Sequence, residues 1–259
     1  MNNFTVMNQD SENKSLLLNP EITAASKQKK PYSLVLRFAS DGIALSIHQD
    51  SSIISSKKIK MPLYSLSKEQ IIPLLLQEPE TQLLYDKIHL IAETKTYTIV
   101  PKEIFKEEEM DKLLYFSHQK EKNASILYNE ISAFDAINIF SLPEDISEVF
   151  KQLFPACKIE HSISHFIENH IHKHSLQECI CIWVRQKIMD VVAFQHNRLL
   201  LVNSFDYQTQ EDFVYYLLRI IEELNLDLQN CKVYLYNMEQ HSKLQGFVRK
   251  FVKQCETID

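Results

Sequence analysis

Residues 178–224, ECICIWVRQKIMDVVAFQHNRLLLVNSFDYQTQEDFVYYLLRIIEEL, decide the fold. Three β-rich runs, Glu178 to Val184, Ile188 to Gln195 and Arg198 to Phe205, are joined by short turns and read as an antiparallel meander. Thr209 with Asp212 then caps a helix, and Phe213, Val214, Leu217, Leu218, Ile220, Ile221 and Leu224 give it the broad apolar face of a helix lying on a sheet. Cys231 to Tyr236 predicts another strand. Leu244, Phe247, Val248, Phe251 and Val252 predict the buried side of a last helix.

The same order occurs earlier in the chain. Tyr32 to Phe38 and Ile43 to His48 flank Ser40-Asp41-Gly42, a hairpin signal read as a type I′ turn at Asp41-Gly42. Ile53 to Met61 is a third strand, and Ser67 with Gln70 forms a capping box for a helix carrying Ile71, Leu74 and Leu75, with a kink predicted at Pro73. Strands at Lys87 to Ala92 and Thr96 to Val100 precede an acidic helix at Glu107 to Phe116. Hairpin, third strand, helix, strand and helix therefore describe residues 32–116 and again 178–253, an architectural repeat without shared residues.

Between the copies lie strands at Ser125 to Ile131 and Ala136 to Phe140. A helix follows, begun by Pro143, with Ile146, Val149, Phe150, Leu153 and Phe154 on one side and Pro155 closing it. A strand near Lys158 to Glu160 and a histidine-rich helix to about residue 172 complete this part. Residues 1–31, polar apart from Leu16-Leu17-Leu18, read as a flexible tail. The expected division is 32–174 for a first lobe and 175–259 for a second.

A net charge of -6 removes the attraction that nucleic acid or an anionic membrane would need. The apolar run Ile71 to Leu76, interrupted by Pro73, falls far short of the ~20 residues that span a bilayer, so no membrane span is expected. The opening Met-Asn-Asn-Phe-Thr-Val does not read as a secretory signal, and the five cysteines read as free buried thiols, so a reducing, cytoplasmic compartment is expected. Only Gly42 and Gly246 occur where an average chain would carry roughly eighteen glycines, and phosphate-cradling loops use glycine for positive φ and close approach.

A duplicated β-β-β-α-β-α unit resembles the actin-like ATPase superfamily, in which two ribonuclease-H-like halves face each other across a nucleotide cleft. The chain as a whole resembles an uncharacterised Bacteroidetes family with that fold. The resemblance implies an α/β protein of two such halves and directs attention to three elements of the nucleotide site. The first hairpin, Leu36-Arg37-Phe38-Ala39-Ser40-Asp41-Gly42, holds Arg37 where the superfamily carries an early aspartate. The second, Ile182-Trp183-Val184-Arg185-Gln186-Lys187, has neither aspartate nor glycine. The stretch matching the adenosine-binding glycine pair is Leu235-Tyr236-Asn237-Met238-Glu239. The expectation is a catalytically silent protein that binds no cofactor and works through a protein partner. The rival is an atypical Mg-ATP-binding protein whose serine and asparagine turns replace the glycine loops.

The cleft candidates are Arg37, Asp41, Gly42, Arg185 and Asp190; Arg37 and Arg185 occupy equivalent first-strand ends, where a shared anion is conceivable but is not the expected reading. Asp190 shares a strand face with Ile188, Val192 and Phe194, and is expected to reach water through an edge position or a bulge. His161 with His165, and His170 with His174, have the four-residue spacing of helical metal ligands, but without a cysteine or carboxylate partner in sequence the expected reading is a polar histidine-rich surface that also includes His172, with no metal. Cys179 and Cys181 share a strand face and read as core. Glu107-Glu108-Glu109 with Asp111 reads as a solvated first helical turn.

Overall fold

The computed structural model describes residues 32–50, 52–171, 178–196, 198–238 and 241–258. The predicted tail at 1–31 lies outside them. Two five-stranded sheets share one strand order, as a duplicated β-β-β-α-β-α unit requires.

In the first sheet, β1 (Tyr32–Ala39), β2 (Gly42–Gln49) and β3 (Ser52–Lys60) form the meander. The α1 helix (Lys68–Leu76) leads to β4 (Lys87–Glu93), which pairs parallel to β1 and, with the short strand β8 (Ile159–His161) at the edge, gives the order β3-β2-β1-β4-β8. Leu34, Leu36 and Phe38 of β1 alternate inward, as period-two patterning requires, and meet Ile71 and Leu75 of α1. Gln70 Oε1 accepts the Ser67 N–H at 3.0 Å, as the capping box demands. Pro73 sits within one unbroken helix.

The helix expected at 107–116 is present, but it belongs to an insertion and is not the second helix of the repeat. β5 (Tyr97–Pro101), a 3-10 turn at Glu107–Glu109, α2 (Met110–Tyr115), β6 (Ala124–Ile131) and β7 (Ala136–Pro143) make a separate three-stranded sheet with the order β5-β7-β6. Its own small core is Val100, Leu114, Ile137 and Ile139. The helix that completes the first unit is α3 (Glu144–Leu153), with Pro143 as its N-cap, and Phe150 stacks on Phe38 at 4.2 Å. β8 (Ile159–His161) then pairs parallel to β4, and α4 (Ser162–Phe166) continues into a π turn at Ile167–Ile171. The repeat is real, but its first copy is split.

The second copy is continuous: β9 (Cys179–Val184), β10 (Ile188–Gln195), β11 (Arg198–Asp206), α5 (Gln210–Glu223), β12 (Lys232–Tyr236), α6 (Ser242–Val248) and β13 (Cys255–Ile258), in the order β11-β10-β9-β12-β13. The last helix ends earlier than its apolar spacing suggested because the chain returns as β13. Phe251 is therefore 44% exposed and does not lie on a buried face. Ile180, Ile182 and Val184 pack under Phe213, Leu217 and Ile221 of α5. The other face, with Cys181, Val192, Phe194 and Tyr236, shares one core with the first half. All five cysteines are free. No described helix is long and apolar enough to cross a membrane.

The Thr209 hydroxyl accepts the Asp212 N–H at 3.1 Å, satisfying one of the first-turn donors of α5. Thr209→Ala is expected to lower unfolding free energy by about 1 kcal/mol and Thr209→Ser by far less. Urea denaturation of the two variants checks this, and equal midpoints would remove the cap from the account.

The hairpin at Asp41-Gly42 is not type I′. Ala39 pairs with Gly42, so Ser40 and Asp41 are the central residues, and neither has a positive φ. Gly42 does, at +145°, inside the sheet.

Candidate functional site

The cleft between the halves is a cavity of about 1030 Å³. A row of side chains contributed by both units crosses its base. Arg37 of β1 places Nη1 3.5 Å from Oε1 of Glu93, at the end of β4. The other carboxylate oxygen of Glu93 lies 3.5 Å from Nη1 of Arg185, just beyond β9. Arg185 Nη2 donates to Asp190 Oδ1 at 2.7 Å, and the Ser204 hydroxyl of β11 donates to the same oxygen at 2.6 Å. With that proton committed, the Tyr97 hydroxyl is the donor in its 3.0 Å bond to Ser204 Oγ. Arg37 also lies over the Trp183 ring, 5.2 Å from its centroid.

Asp190 does not reach water. It is 1% exposed, because β10 is covered on both faces, by α5 and α6 on one side and by the first half on the other. Its carboxylate is tolerated because Arg185 and Ser204 satisfy it. Burial pushes its pKa upward against both partners, and burial likewise lowers that of Arg37 despite Glu93. The two arginines come together around a carboxylate of the protein itself, Glu93.

Several other charges lining the cleft are engaged in the same way. Lys58 pairs with Asp41 at 3.2 Å, and Lys95 reaches both carboxylate oxygens of Asp206 at 2.5 and 2.7 Å. Glu121 accepts from Thr96 and Ser141 at 2.8 and 2.6 Å, and Lys187 donates to the Gln208 carbonyl at 2.8 Å. Gly42 faces the backbone of β3 and takes no part in the cleft lining.

Left-handed backbone is nevertheless present at the cleft. Asn237, where the glycine pair was sought, has φ +61°, and its amide donates to the Val184 carbonyl at 2.7 Å. Asn123 on the opposite wall has φ +53°. Glycine scarcity therefore did not abolish positive φ, because Asn, Asp and His tolerate it better than other side chains.

The structure divides the histidines. His161 is fully buried, with Nε2 donating to the Thr94 carbonyl at 3.2 Å and Nδ1 accepting the Ile163 N–H at 3.2 Å. Burial drives its pKa down to about 3. His165 instead bonds Glu160 at 2.9 Å, and His170 packs against Trp183 and Tyr236. His172 and His174 lie outside the described residues. Among the described residues, no three His, Cys, Asp or Glu side chains are arranged to hold a metal. Burial raises the thiol of Cys181, as it does that of Cys231, which rises to about 12, so both behave as core thiols.

Sequence reasoning missed Glu93, Tyr97, Trp183 and Ser204. The usable signal was strand pairing: Ala39 opposite Glu93 in the parallel β1–β4 ladder puts Arg37 and Glu93 at one end of adjacent strands.

Comparison with known proteins places this geometry. The model of a protein family described as a protein of unknown function, DUF3822, matches residues 22–255. A Bacteroides thetaiotaomicron protein with actin-like ATPase fold and unknown function superposes with a TM-score of 0.76 at 24% identity, covering 90% of this chain and 92% of that one. The PilM-PilN type IV pilus biogenesis complex superposes at 0.56 with 10% identity, covering 88% of each chain. No curated protein sequence matches.

Proposed function

The chain belongs to the DUF3822 family, and from that premise, which supplies a fold without an activity, we propose that it is a non-catalytic actin-like protein of the cytoplasm that acts by binding another protein. Its working parts are a first lobe at 32–174 and a second at 175–259, with the partner held by the cleft or a sheet edge. Nucleic acid is not a partner, given the net charge of -6.

The observation that carries this reading is the chain Arg37–Glu93–Arg185–Asp190 across the cleft base. Each guanidinium there already has a carboxylate partner, so a polyphosphate would have to displace Glu93 to use them. Neither hairpin offers a carboxylate free to organise Mg²⁺: Asp41 is paired with Lys58, and the second hairpin has none.

A second reading keeps Mg-ATP as ligand, and two observations favour it: the cavity volume and the left-handed Asn123 and Asn237 on facing walls. Thermal unfolding with millimolar Mg-ATP separates the two. A ligand at a hundred times its dissociation constant stabilises by about 2.7 kcal/mol. No shift is expected. A saturable upward shift, absent with Mg²⁺ alone, overturns the non-catalytic reading in favour of the second.

A further inference from the structure

Two kinds of contact join the halves. The first is an apolar seam, in which Phe166 of α4 lies 5.4 Å from Trp183 and 4.9 Å from Tyr236, within the core that both halves share. The second is the set of polar crossings on the cleft side: Arg185 to Glu93, Lys95 to Asp206, and Tyr97 to Ser204. Glu93 belongs to the first unit but divides its two oxygens between Arg37 of its own half and Arg185 of the other.

We propose that Glu93, held between Arg37 and Arg185, is a latch that fixes the opening of the cleft through side chains alone, so that the two halves keep their relation without a ligand bridging them. The seam is the pivot, and the latch stands to one side of it.

Opening the cleft about the seam pulls Arg185 from Glu93 and lifts Arg37 off the Trp183 ring. The groups involved keep 13% to 26% of their side-chain surface in contact with solvent, so the pairs outlast surface pairs at moderate salt but are still weakened when the screening length falls to the length of the contact itself. The latch also has a built-in reversal. Without the charge of Glu93, two guanidiniums face each other across the halves, and what drew the walls together now drives them apart. Asp190 neutralises one of them but belongs wholly to the second half, so it cannot close the gap. This inference is independent of whether a nucleotide binds.

Trp183 is the only tryptophan of the chain and stands at the latch, which makes opening measurable. In Glu93→Gln, acrylamide quenching of Trp183 is expected to rise about twofold, together with a larger radius of gyration by solution X-ray scattering and unchanged helix content by circular dichroism. The unmodified protein supplies a test that does not depend on folding of the variant: raising NaCl to about 1 M, where the Debye length is near 3 Å, is expected to move both readouts the same way. Unchanged scattering in a folded Glu93→Gln protein overturns the latch, even if quenching rises, because that would be a local loosening only. Insensitivity of both readouts to salt overturns it as well.

Discussion

Asp190→Ala is expected to destabilise the protein by about 3–5 kcal/mol, the range for removing one partner of a buried ion pair. The carboxylate is 1% exposed and accepts from Arg185 at 2.7 Å and from Ser204 at 2.6 Å. Its loss leaves a guanidinium, whose Nε is already buried without a partner, beside Glu93 alone at 3.5 Å. It also strands the hydroxyl relay from Tyr97 through Ser204. Asp190→Asn keeps the shape and one acceptor, and should fall between the wild type and the alanine variant. Replacing Asp190 and Arg185 together by leucine should cost much less than Asp190→Ala, because no charge is then left uncompensated. Guanidinium denaturation of the four proteins measures this ordering, and an alanine variant within about 1 kcal/mol of wild type would show that the pair is solvated in practice.

Gly42→Ala is the second substitution with a large expected effect, about 2–5 kcal/mol. That figure combines a strained backbone at about 1–3 kcal/mol with overpacking at a similar cost. An added Cβ would stand 2.0 Å from the Ile59 carbonyl oxygen, and φ is +145°, where L side chains are strained whatever the space. The obstacle is strand backbone paired in the β2–β3 ladder, so no side-chain rotation relieves it. The only other glycine is the control: an added Cβ at Gly246, in α6, meets nothing within 4 Å, so Gly246→Ala should stabilise by up to about 1 kcal/mol. Similar thermal midpoints for the two alanine variants would contradict the steric argument.

Much of the secondary structure was legible because burial here follows period. β1 alternates strictly, and α5 shows both its cap and its apolar face in the sequence. Connectivity was less legible. The strands of the insertion have the same local pattern as those of the main sheets, and α2 stands where the second helix of the repeat was sought. Only pairing separates them: β5 and β6 flank β7, whereas β8 returns to β4.

The site was legible by residue but not by environment. Alternation put Asp190 on the face of Val192 and Phe194 correctly. What the strand could not reveal is that this face meets the other half, with Arg185 folding back from the end of β9. The glycine count misled for a different reason. Asp50, Asn123, Asp135, His196, Asn225 and Asn237 all take positive φ, so short polar side chains do what glycine does elsewhere.

The split first unit has a kinetic meaning. Val233 meets Cys255 a couple of dozen residues along the chain, so the second sheet is finished by a short loop closure. Leu90 must wait for Ile159, some seventy residues away, and is rewarded by only three residue pairs. Loop entropy grows slowly with length, which is why the fold tolerates the intrusion, but the contact order of the amino-terminal unit rises with it. The half that leaves the ribosome first is the one whose last strand has furthest to travel.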